Sequence, residues 1–328
     1  MLKMAMLSKW HVHADDIVYQ LVSTGKVEIV AVWDEIQERG KTWASELGVD
    51  YEPTLNAVLT RSDVQAVVCC APTTMHKEIL VAAARAGKHI FTEKVLATNS
   101  TDADVIAGAV KDAGIVFIIS YPLCHNPLMC YAKKLIDAGE FGKISMIRAR
   151  RSHGGLVEGW LVDYWFDTTK TGGGAMMDLG AHPMYLLSWL CGKPKRISGV
   201  FNNLYGTSSD ENSVALIEFE NGIIGVSETS FVSYNTHDVL EIYGTDATLL
   251  IWGDEMKLTS KKNEIQHQGY LVPSVEEPEL PSVFASFVDA CLGLAPVPAC
   301  MDIDAGVAVS LLMEGAYKSN GSNTTSVV

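Results

Sequence analysis

The sequence lacks the features of a membrane-bound or secreted protein. No stretch reaches the roughly 20 consecutive apolar residues that a membrane-spanning helix needs. The N-terminal MLKMAML runs directly into the polar KWHVHADD, without the layout of a signal peptide. The seven cysteines are odd in number and irregularly spaced, which argues against a disulfide framework. We therefore expect a cytoplasmic protein with no membrane partner.

The sequence is also short of positive charge. It contains 25 lysine and arginine residues against 39 aspartate and glutamate residues, for a formal net charge of −14. An acidic surface repels a phosphate backbone, so a nucleic-acid partner is not expected, although a local basic pocket remains compatible with an acidic protein. The length of 328 residues and the hydrophobic content of 48% fit two globular domains.

The first third of the chain predicts a parallel sheet. Short apolar runs alternate there with helical patterns, and strict alternation of strand and helix implies right-handed crossovers. The fold class is therefore α/β, with an N-terminal Rossmann-type, doubly wound parallel sheet in a nucleotide-binding type of domain over residues 1–122. The apolar runs are Leu2–Leu7, Val27–Trp33, Val64–Cys70, His89–Thr92 and Ile115–Ser120.

The pattern changes at the prolines that follow Tyr121. From Arg196 to about Leu258, strand patterns follow one another with turn signals between them, which is typical of an antiparallel sheet. Late helices near Ser282–Leu292 and Ile303–Lys318 are expected to cover one face of that sheet, and the polar C-terminal tail is expected to fray. Residues 123–328 therefore predict a C-terminal α+β domain with a mostly antiparallel sheet.

The turn after the first strand has no glycine. A dinucleotide-binding turn carries Gly-x-Gly-x-x-Gly so that backbone amides approach the pyrophosphate, whereas this chain has SKWHVH over residues 8–13. A helix still begins nearby, and the amides at its N-terminus suit a phosphate. Ser8, Trp10, His11 and Val12 are therefore candidate cofactor contacts, although Trp10 stands where the backbone should approach.

Asp34 closes the second predicted strand. A carboxylate at this position can accept the ribose hydroxyls of an adenosine and repel a 2′-phosphate, which favours NAD over NADP as cofactor. A turn or helix-cap aspartate is an equally good interpretation of the position alone.

His11 and His13 support a rival interpretation. Two histidines in this spacing at the end of a first strand match metal ligands of barrel-type hydrolases. That interpretation needs further ligands, for which His76 and Asp178 are the candidates, but the first domain is too short for an eight-stranded barrel. We therefore predict no metal, and a metal-dependent hydrolase using His11 and His13 stays as an alternative.

A further segment, APTTMH, lies between a buried strand and a helix of the first domain. Its residues Ala71, Pro72, Thr73 and His76 are candidate cofactor contacts, because a helix N-terminus can face a phosphate or the nicotinamide ribose. Thr73 or the threonine after it is also a candidate N-cap, and plain capping is the alternative role of this segment.

Glu93 and Lys94 follow the short predicted strand His89–Thr92. Lys94 there can hydrogen-bond a substrate hydroxyl, and its charge would stabilise the alkoxide that develops as a hydride leaves. Glu93 can keep Lys94 charged and joins the candidate cofactor contacts. A surface ion pair of little energetic value is the alternative.

The glycine-rich segment GGGAMMDLGAH, residues 172–182, is the most specific feature of the chain. Asp178 and His182 are four residues apart, so we expect both on one face of one helix. A neutral histidine can take a hydroxyl proton near neutral pH while a neighbouring carboxylate fixes its tautomer. The alternative is a surface pair, which the apolar residues around them disfavour.

In order and spacing, these segments resemble the glucose–fructose oxidoreductase, inositol dehydrogenase and MocA (Gfo/Idh/MocA) family. Residues 63–94 are similar to its Pro-Asn-x-x-His and Glu-Lys-Pro region, and GGGAMMDLGAH is similar to its Gly-Gly-Gly…Asp-x-Gly-x-His motif. AGEFGKI, SVFASFVDACLG and the final EGAYKS are also similar to family segments, so the resemblance runs almost end to end.

The resemblance implies an NAD(P)-dependent oxidoreductase acting on a secondary hydroxyl or ketone of a sugar, inositol or related polyol. It assigns His182 as the base, Asp178 as its orienting group or as a ligand of a second hydroxyl, and Lys94 as the ligand of the reacting oxygen. It also implies a dinucleotide-binding domain over residues 1–122 and a substrate-binding domain over residues 123–328. The resemblance further implies that the sheet of the second domain is large and open. Such a sheet often mediates oligomerisation in the family, so a homo-oligomer, dimer or tetramer, is expected.

The chain departs from the family pattern beyond the missing glycines. Val95 stands for the proline of Glu-Lys-Pro, Tyr185 stands for an aspartate three residues after the histidine, and SYPLCHNP lacks the usual Arg-Phe. These departures indicate a divergent branch. They keep open a non-catalytic regulatory protein of the same fold that binds a sugar or nucleotide.

Aromatic and polar residues near the predicted active centre are the candidate substrate contacts. The loop HGGLVEGWLVDYWFD is rich in side chains whose aromatic faces and polar edges suit sugar rings. Its spacing from the glycine-rich segment would bring it near the active centre. Packing in a core or subunit contact is the alternative. The candidates are Tyr121, His125, His153, Trp160, Tyr164 and Trp165.

Overall fold

The structure is a computed structural model that describes residues 1–262, 281–322 and 324–328. The described chain divides into two compact units. The first holds Met1–Pro122 with residues 281–310, and the second holds residues 123–262 with Leu311–Val328. No helix in the described ranges combines the length and the apolar character needed to cross a bilayer.

The first unit is built on a six-stranded sheet whose pairings are all parallel. The strand order is β3-β2-β1-β4-β5-β6. Successive strands are added on one side of β1 up to β3 and on its other side from β4 onward, so the order reverses between β1 and β4. Ligands of such doubly wound sheets bind at the carboxyl ends of the strands beside that reversal. The strands are β1 (Leu2–Leu7), β2 (Val27–Trp33), β3 (Asp50–Tyr51), β4 (Ala66–Cys69), β5 (His89–Thr92) and β6 (Phe117–Ile119).

Five helices connect these strands, and local sequence explains several of their ends. Thr54 accepts a hydrogen bond from the amide of Ala57 at the start of α3, and Asn99 does the same for Asp102 at the start of α5. Gly114, with φ of 62°, ends α5 in the left-handed conformation. The helices are α1 (Ala14–Ser23), α2 (Gln37–Leu47), α3 (Leu55–Thr60), α4 (His76–Arg85) and α5 (Ser100–Ala113).

The second unit contains an eight-stranded sheet of order β13-β12-β11-β7-β10-β9-β8-β14. Only the β7–β10 pairing is parallel among those described, so the sheet is mostly antiparallel as predicted. The strands are β7 (Ile144–Ser152), β8 (Pro194–Asn202), β9 (Asn212–Phe219), β10 (Ile224–Ser230), β11 (Val239–Gly244), β12 (Ala247–Trp252), β13 (Glu255–Ser260) and β14 (Ser326–Val327).

The C-terminal tail corrects one prediction. Instead of fraying, β14 pairs with β8, with Ser326 opposite Ile197. The partner is the open edge of β8, whose unpaired backbone groups accept another strand. The composition of the tail does not reveal that edge.

The remaining helices include one that the sequence placed on the wrong sheet. α10 belongs to the first unit, where the rings of Phe284 and Phe287 lie 5.4 and 5.6 Å from the ring of Phe91 on β5. Residues 281–310 therefore pack with the first unit, because apolar side chains of α10 cover β5 and β6. The helices are α6 (Pro127–Asp137), α7 (Thr168–Thr171), α8 (Ala175–Asp178), α9 (Ala181–Cys191), α10 (Val283–Cys291) and α11 (Ile303–Ser322).

Candidate functional site

The carboxyl edge of the parallel sheet carries the predicted cofactor segments. Ser8 follows β1, Asp34 follows β2, Cys70 follows β4 and Glu93 follows β5. Because parallel strands all end at the same edge of a sheet, these positions are neighbours although up to 85 residues separate them in the chain.

Ser8 adopts a left-handed backbone conformation, which a glycine would adopt more easily, in the turn that lacks glycine. Its φ is 71°, in the left-handed region that costs a non-glycine residue about 1–2 kcal/mol. Its hydroxyl accepts a hydrogen bond from the amide of Trp10 at 3.1 Å, which helps to hold the turn. The side chain of Trp10 is buried, so its indole is packed into the first unit.

The carboxylate of Asp34 accepts hydrogen bonds from other groups of the protein. It accepts hydrogen bonds from the amide of Lys9 at 2.8 Å and from the amide of Ile36 at 2.7 Å. The Nε and Nη2 atoms of Arg39 each donate to it at 2.8 Å. These donors fill the roughly four acceptor positions of a carboxylate, and the side chain has no exposed surface. Arg39 thus takes the oxygens that were predicted to accept the ribose hydroxyls, and the ribose contact of Asp34 stays a prediction.

His76 joins two loops rather than facing a ligand. Its ring nitrogens lie 3.2 Å from the carbonyl oxygens of Leu96 and Ala71, and the residue is 1% exposed. Burial lowers the pKa of His76, so the neutral ring donates to one carbonyl at a time. Both ring nitrogens therefore face backbone carbonyls, which gives the ring a structural role, and the cofactor contact of His76 stays a prediction.

The segment before His76 is arranged differently from the prediction. A 3₁₀ turn spans Thr73–Met75, and α4 then begins at His76 with Met75 at the N-cap position and no side-chain cap. The expected capping by a threonine is therefore absent from the start of α4. Ala71, Pro72 and Thr73 are all buried at the end of β4.

His11, His13 and Glu93 come together at this edge. Nε2 of His11 lies 3.9 Å from one carboxylate oxygen of Glu93, and Nδ1 of His13 lies 4.0 Å from the other. Burial raises the pKa of Glu93 and lowers the pKa of His11, since each loses hydration of its charged form. Sequence reasoning sought partners for the histidines at His76 and Asp178 and missed Glu93, whose signal was its place at the end of β5.

Lys94 is buried beside this group, with 8% of its surface exposed. Its amide donates to a carboxylate oxygen of Glu93 at 3.3 Å. The charge of Lys94 adds to burial in lowering the pKa of His11. The peptide bond from Lys94 to Val95 is cis. Lys94 is therefore not the surface ion pair of the alternative interpretation.

In the second unit, Asp210 and Tyr317 hold the glycine-rich segment. Asp210 accepts hydrogen bonds from the amides of Gly174 and Met176 and from the hydroxyl of Tyr317, at 3.0, 2.7 and 2.7 Å. A Cβ on Gly174 would lie 2.1 Å from the carbonyl oxygen of Asp210, and one on Gly173 would lie 2.2 Å from the Tyr317 hydroxyl. The glycines are required by this close approach. The sequence analysis did not identify Asp210 or Tyr317 as residues that position this segment.

Asp178 and His182 do not share one helix, which corrects the prediction. Asp178 ends α8, and α9 begins at Ala181. The amide of Gly180 donates to the carbonyl oxygen of Ala175 at 2.9 Å, one residue further back than in an α-helix. A Cβ on Gly180 would lie 2.4 Å from the carbonyl oxygen of Met176, so the break depends on glycine.

The imidazole of His182 is held by Tyr185. Nδ1 of His182 lies 2.9 Å from the Tyr185 hydroxyl, which also accepts a hydrogen bond from the amide of Leu123 at 3.0 Å. Both side chains are buried. The tyrosine occupies the place where the family resemblance expects an aspartate, so a neutral phenol contacts the ring instead of a carboxylate.

The loop after β7 lies beside the glycine-rich segment. Leu156 packs against a buried cluster formed by Ala175, Leu179 and Phe231. His153 stacks on Phe231 with ring centroids 5.3 Å apart and lies 4.5 Å from Trp160. Burial lowers the pKa of His153, and the negative charge of Asp178 partly offsets this, so Asp178 acts electrostatically on this loop.

The other predicted substrate contacts are more enclosed. Tyr121 is fully buried and Trp165 is buried, so both rings are packed in the interior, and their contact with a substrate stays a prediction. Tyr164 and His125 are half-buried. Trp160 is 54% exposed, and its indole nitrogen donates to Glu158 at 2.9 Å.

Models of one protein family match both units. The model described as "Oxidoreductase family, NAD-binding Rossmann fold" matches residues 7–121, and the GFO/IDH/MocA C-terminal domain matches residues 129–250. The chain belongs to the GFO/IDH/MocA family. Membership confirms the predicted fold class and enzyme class, an oxidoreductase with an NAD-binding Rossmann domain.

Individual family members are distant in sequence. Levoglucosan dehydrogenase of Pseudarthrobacter phenanthrenivorans is 25% identical over 249 residues, which cover 65% of this chain and 63% of that protein. The scyllo-inositol 2-dehydrogenase (NAD⁺) of Bacillus subtilis is 28% identical over 247 residues, covering 73% and 69%. A structure of levoglucosan dehydrogenase with NADH and levoglucosan matches with a TM-score of 0.87 at 20% identity, covering 100% of this chain and 99% of that one. This last match shows the shared fold.

Proposed function

We propose that the protein is an NAD-dependent dehydrogenase that moves a hydride between the nicotinamide and a secondary hydroxyl or ketone of a sugar, inositol or related polyol. The observation that carries this proposal is the buried pair of Glu93 and Lys94 at the carboxyl end of β5, in a domain of an NAD-binding oxidoreductase family. The relatives named for levoglucosan and scyllo-inositol support a cyclic polyol as substrate.

The first unit fits a dinucleotide. Its strand order reverses between β1 and β4, and Ser8 reproduces the left-handed residue of a dinucleotide-binding turn. Bound NAD would supply the hydride acceptor. The residues that would hold it are those of the turn and the strand ends: Ser8, Trp10, His11, Val12, Ala71, Pro72, Thr73, Glu93 and Lys94.

The environment of Arg39 favours NAD over NADP. Its guanidinium donates to the carboxylate of Asp34 and to that of Glu35, the latter at 2.6 Å. Two carboxylates therefore surround one guanidinium, and a 2′-phosphate placed there would meet net negative charge. Asp34 thus acts on cofactor choice through Arg39 and through repulsion rather than by binding the ribose.

Oxidation removes a hydride from the carbinol carbon and a proton from its oxygen. In this proposal Nε2 of His182 takes the proton, which requires that Nδ1 carry a hydrogen and donate it to the oxygen of Tyr185. Lys94 stabilises the negative charge that develops on the substrate oxygen. Asp178 orients a further hydroxyl of the substrate.

The large sheet favours a homo-oligomer, dimer or tetramer. Val200, Val214 and Leu216 lie on neighbouring strands of one face and are 75%, 37% and 52% exposed. An apolar patch of this kind is typical of a subunit interface. Light scattering of the purified protein measures the oligomer size.

Replacement of Lys94 tests the proposed chemistry. We expect Lys94→Ala to lower kcat by about 10²–10⁴-fold, the range of charge-stabilisation and proton-transfer effects. Lys111→Ala is the matched control, because Lys111 pairs with Asp304 on the surface of the same unit. Equal turnover in both variants would remove Lys94 from the mechanism.

A further inference from the structure

Two histidines and a buried glutamate offer three ligand atoms in one place. One atom from each of His11, His13 and Glu93 lies within 4.8 Å of the others, among the residues that the structure describes. His11 and Glu93 are almost completely buried, whereas the side chain of His13 is 59% exposed. Two of the three candidate ligands are therefore held by the surrounding protein, and the side chain of His13 can change its orientation at the surface.

The ligand types match a divalent transition metal. Two imidazoles and one carboxylate form a ligand set that catalytic zinc sites use, with a fourth position left for water or another oxygen. Metal-to-ligand distances of about 2.0–2.2 Å in such sites mean that the ligand atoms must approach one another more closely than the observed 3.9 and 4.0 Å. A rotation of the exposed His13 side chain supplies part of this closure.

One local hydrogen bond has to open for the ion to enter. Nδ1 of His11 accepts a hydrogen bond from the amide of His13 at 3.2 Å. An ion on Nε2 places the ring hydrogen on Nδ1, where it faces that amide. Adjustment of the turn at His13 breaks this hydrogen bond and moves the amide of His13 away from the ring hydrogen of His11.

The charges around the cluster attract a cation. Glu93 is a carboxylate enclosed by protein, and a buried charge is costly unless a partner compensates it. Asp15 and Asp16 occupy the first turn of α1 directly after His13. Lys9 lies 3.1 Å from Asp15, and Lys94 acts on the cluster as well, so two ammonium groups stand against the three carboxylates. A divalent ion would compensate the negative charge that remains.

We propose that His11, His13 and Glu93 form a binding site for a divalent transition-metal ion, with Zn²⁺ as the best match. The ion would place positive charge at the turn that lacks the glycines of a dinucleotide site. The proposal does not depend on the dehydrogenase proposal, because the ligands and the ion suffice for binding.

Titration of Zn²⁺ into chelator-treated protein, without nucleotide, tests the site. We expect one ion per chain in the wild type. Replacing one ligand in His13→Gln or Glu93→Gln should weaken binding by at least the roughly 10–100-fold that loss of an outer-shell partner costs. His237→Gln and Glu46→Gln are the controls, because both residues are exposed and lie outside the cluster.

The exposed position of His13 keeps the test decisive even where Glu93→Gln fails to fold. Stoichiometric binding that His13→Gln weakens and His237→Gln leaves unchanged supports the site. The absence of stoichiometric binding in the wild type, or equal affinity in wild type and His13→Gln, overturns it.

Discussion

The hydroxyl of Tyr185 lies 2.9 Å from Nδ1 of His182 and accepts a hydrogen bond from the amide of Leu123. A phenol can orient an imidazole as a carboxylate does, but it carries no charge to stabilise the imidazolium that forms when the ring takes a proton. The proposed base is therefore positioned by a neutral group, which separates this chain from the family pattern.

Removal of that hydroxyl should reduce turnover. We expect Tyr185→Phe to lower kcat by about tenfold or more, because the ring of His182 loses the partner that sets its orientation and tautomer. Affinity for NAD should stay the same. The measurement is steady-state kinetics across pH, in which the acid limb of kcat/KM should move relative to wild type.

Tyr51→Phe is the matched control for this change, because the Tyr51 hydroxyl is buried without a hydrogen-bond partner in the described part of the chain. Loss of activity in Tyr51→Phe, or a pH profile of Tyr185→Phe that coincides with wild type, would argue against a positioning role.

The buried contact between Asp34 and Arg39 should matter for stability. Asp34→Ala leaves two backbone amides without their acceptor and leaves Arg39 with Glu35 as its remaining carboxylate. Breaking a buried ion pair on one side costs about 3–5 kcal/mol, and we expect a loss toward the lower end of that range. Urea unfolding measures the loss. An unchanged unfolding free energy combined with weaker NAD binding would instead support the direct ribose contact.

The turn at Ser8 separates backbone strain from hydrogen bonding. Ser8→Ala and Ser8→Gly both lose the hydroxyl that holds the amide of Trp10, but only glycine relieves the left-handed φ of 71°. We therefore expect Ser8→Gly to be more stable than Ser8→Ala by about 1–2 kcal/mol in thermal or urea unfolding. Equal stability would mean that the turn relaxes to another conformation.

The glycine-rich segment should not tolerate a methyl group. Gly174→Ala places a Cβ 2.1 Å from a backbone carbonyl oxygen, and we expect destabilisation of about 1–3 kcal/mol or more from the forced shift. Gly108→Ala is the control, because α5 leaves open space there, and it should stabilise the protein by about 0.5–1 kcal/mol. Opposite signs in urea unfolding are the expected result.

Acid should destabilise the protein partly through His76. Burial lowers its pKa in the folded protein from the ordinary value of 6.5, so below that pH the unfolded chain binds more protons and stability falls as pH falls. His76→Gln removes this contribution. The plot of unfolding free energy against pH should be shallower for the variant below about pH 6.5, and parallel plots would contradict the assignment.

The sequence predicted what periodicity and strand-end position determine. The bounds of β1 and β2 match the apolar runs, and Glu93 and Lys94 were placed correctly after β5. Contacts over long sequence separation escaped prediction, because no local pattern encodes them. The clearest cases are Arg39 filling the oxygens of Asp34 and Tyr317 reaching Gly174 from the end of the chain.

Short elements, breaks within helices and the partners of apolar faces were also beyond prediction from the sequence. A two-residue strand such as β3 has no periodic signal. The four-residue spacing of Asp178 and His182 predicted one helix, yet the hydrogen bond of Gly180 to Ala175 divides it in two. The apolar face of α10 showed that the helix is packed but not which sheet it covers.

The most direct test of the account is the formation of NADH. The protein is incubated with NAD⁺ and a panel of sugars, anhydro-sugars and inositols, and the absorbance of NADH is followed for each substrate. The account predicts NADH from at least one cyclic polyol, with NAD⁺ preferred over NADP⁺. No NADH from any of them, from protein that also fails to bind NAD, would contradict the account and favour a regulatory protein of the same fold.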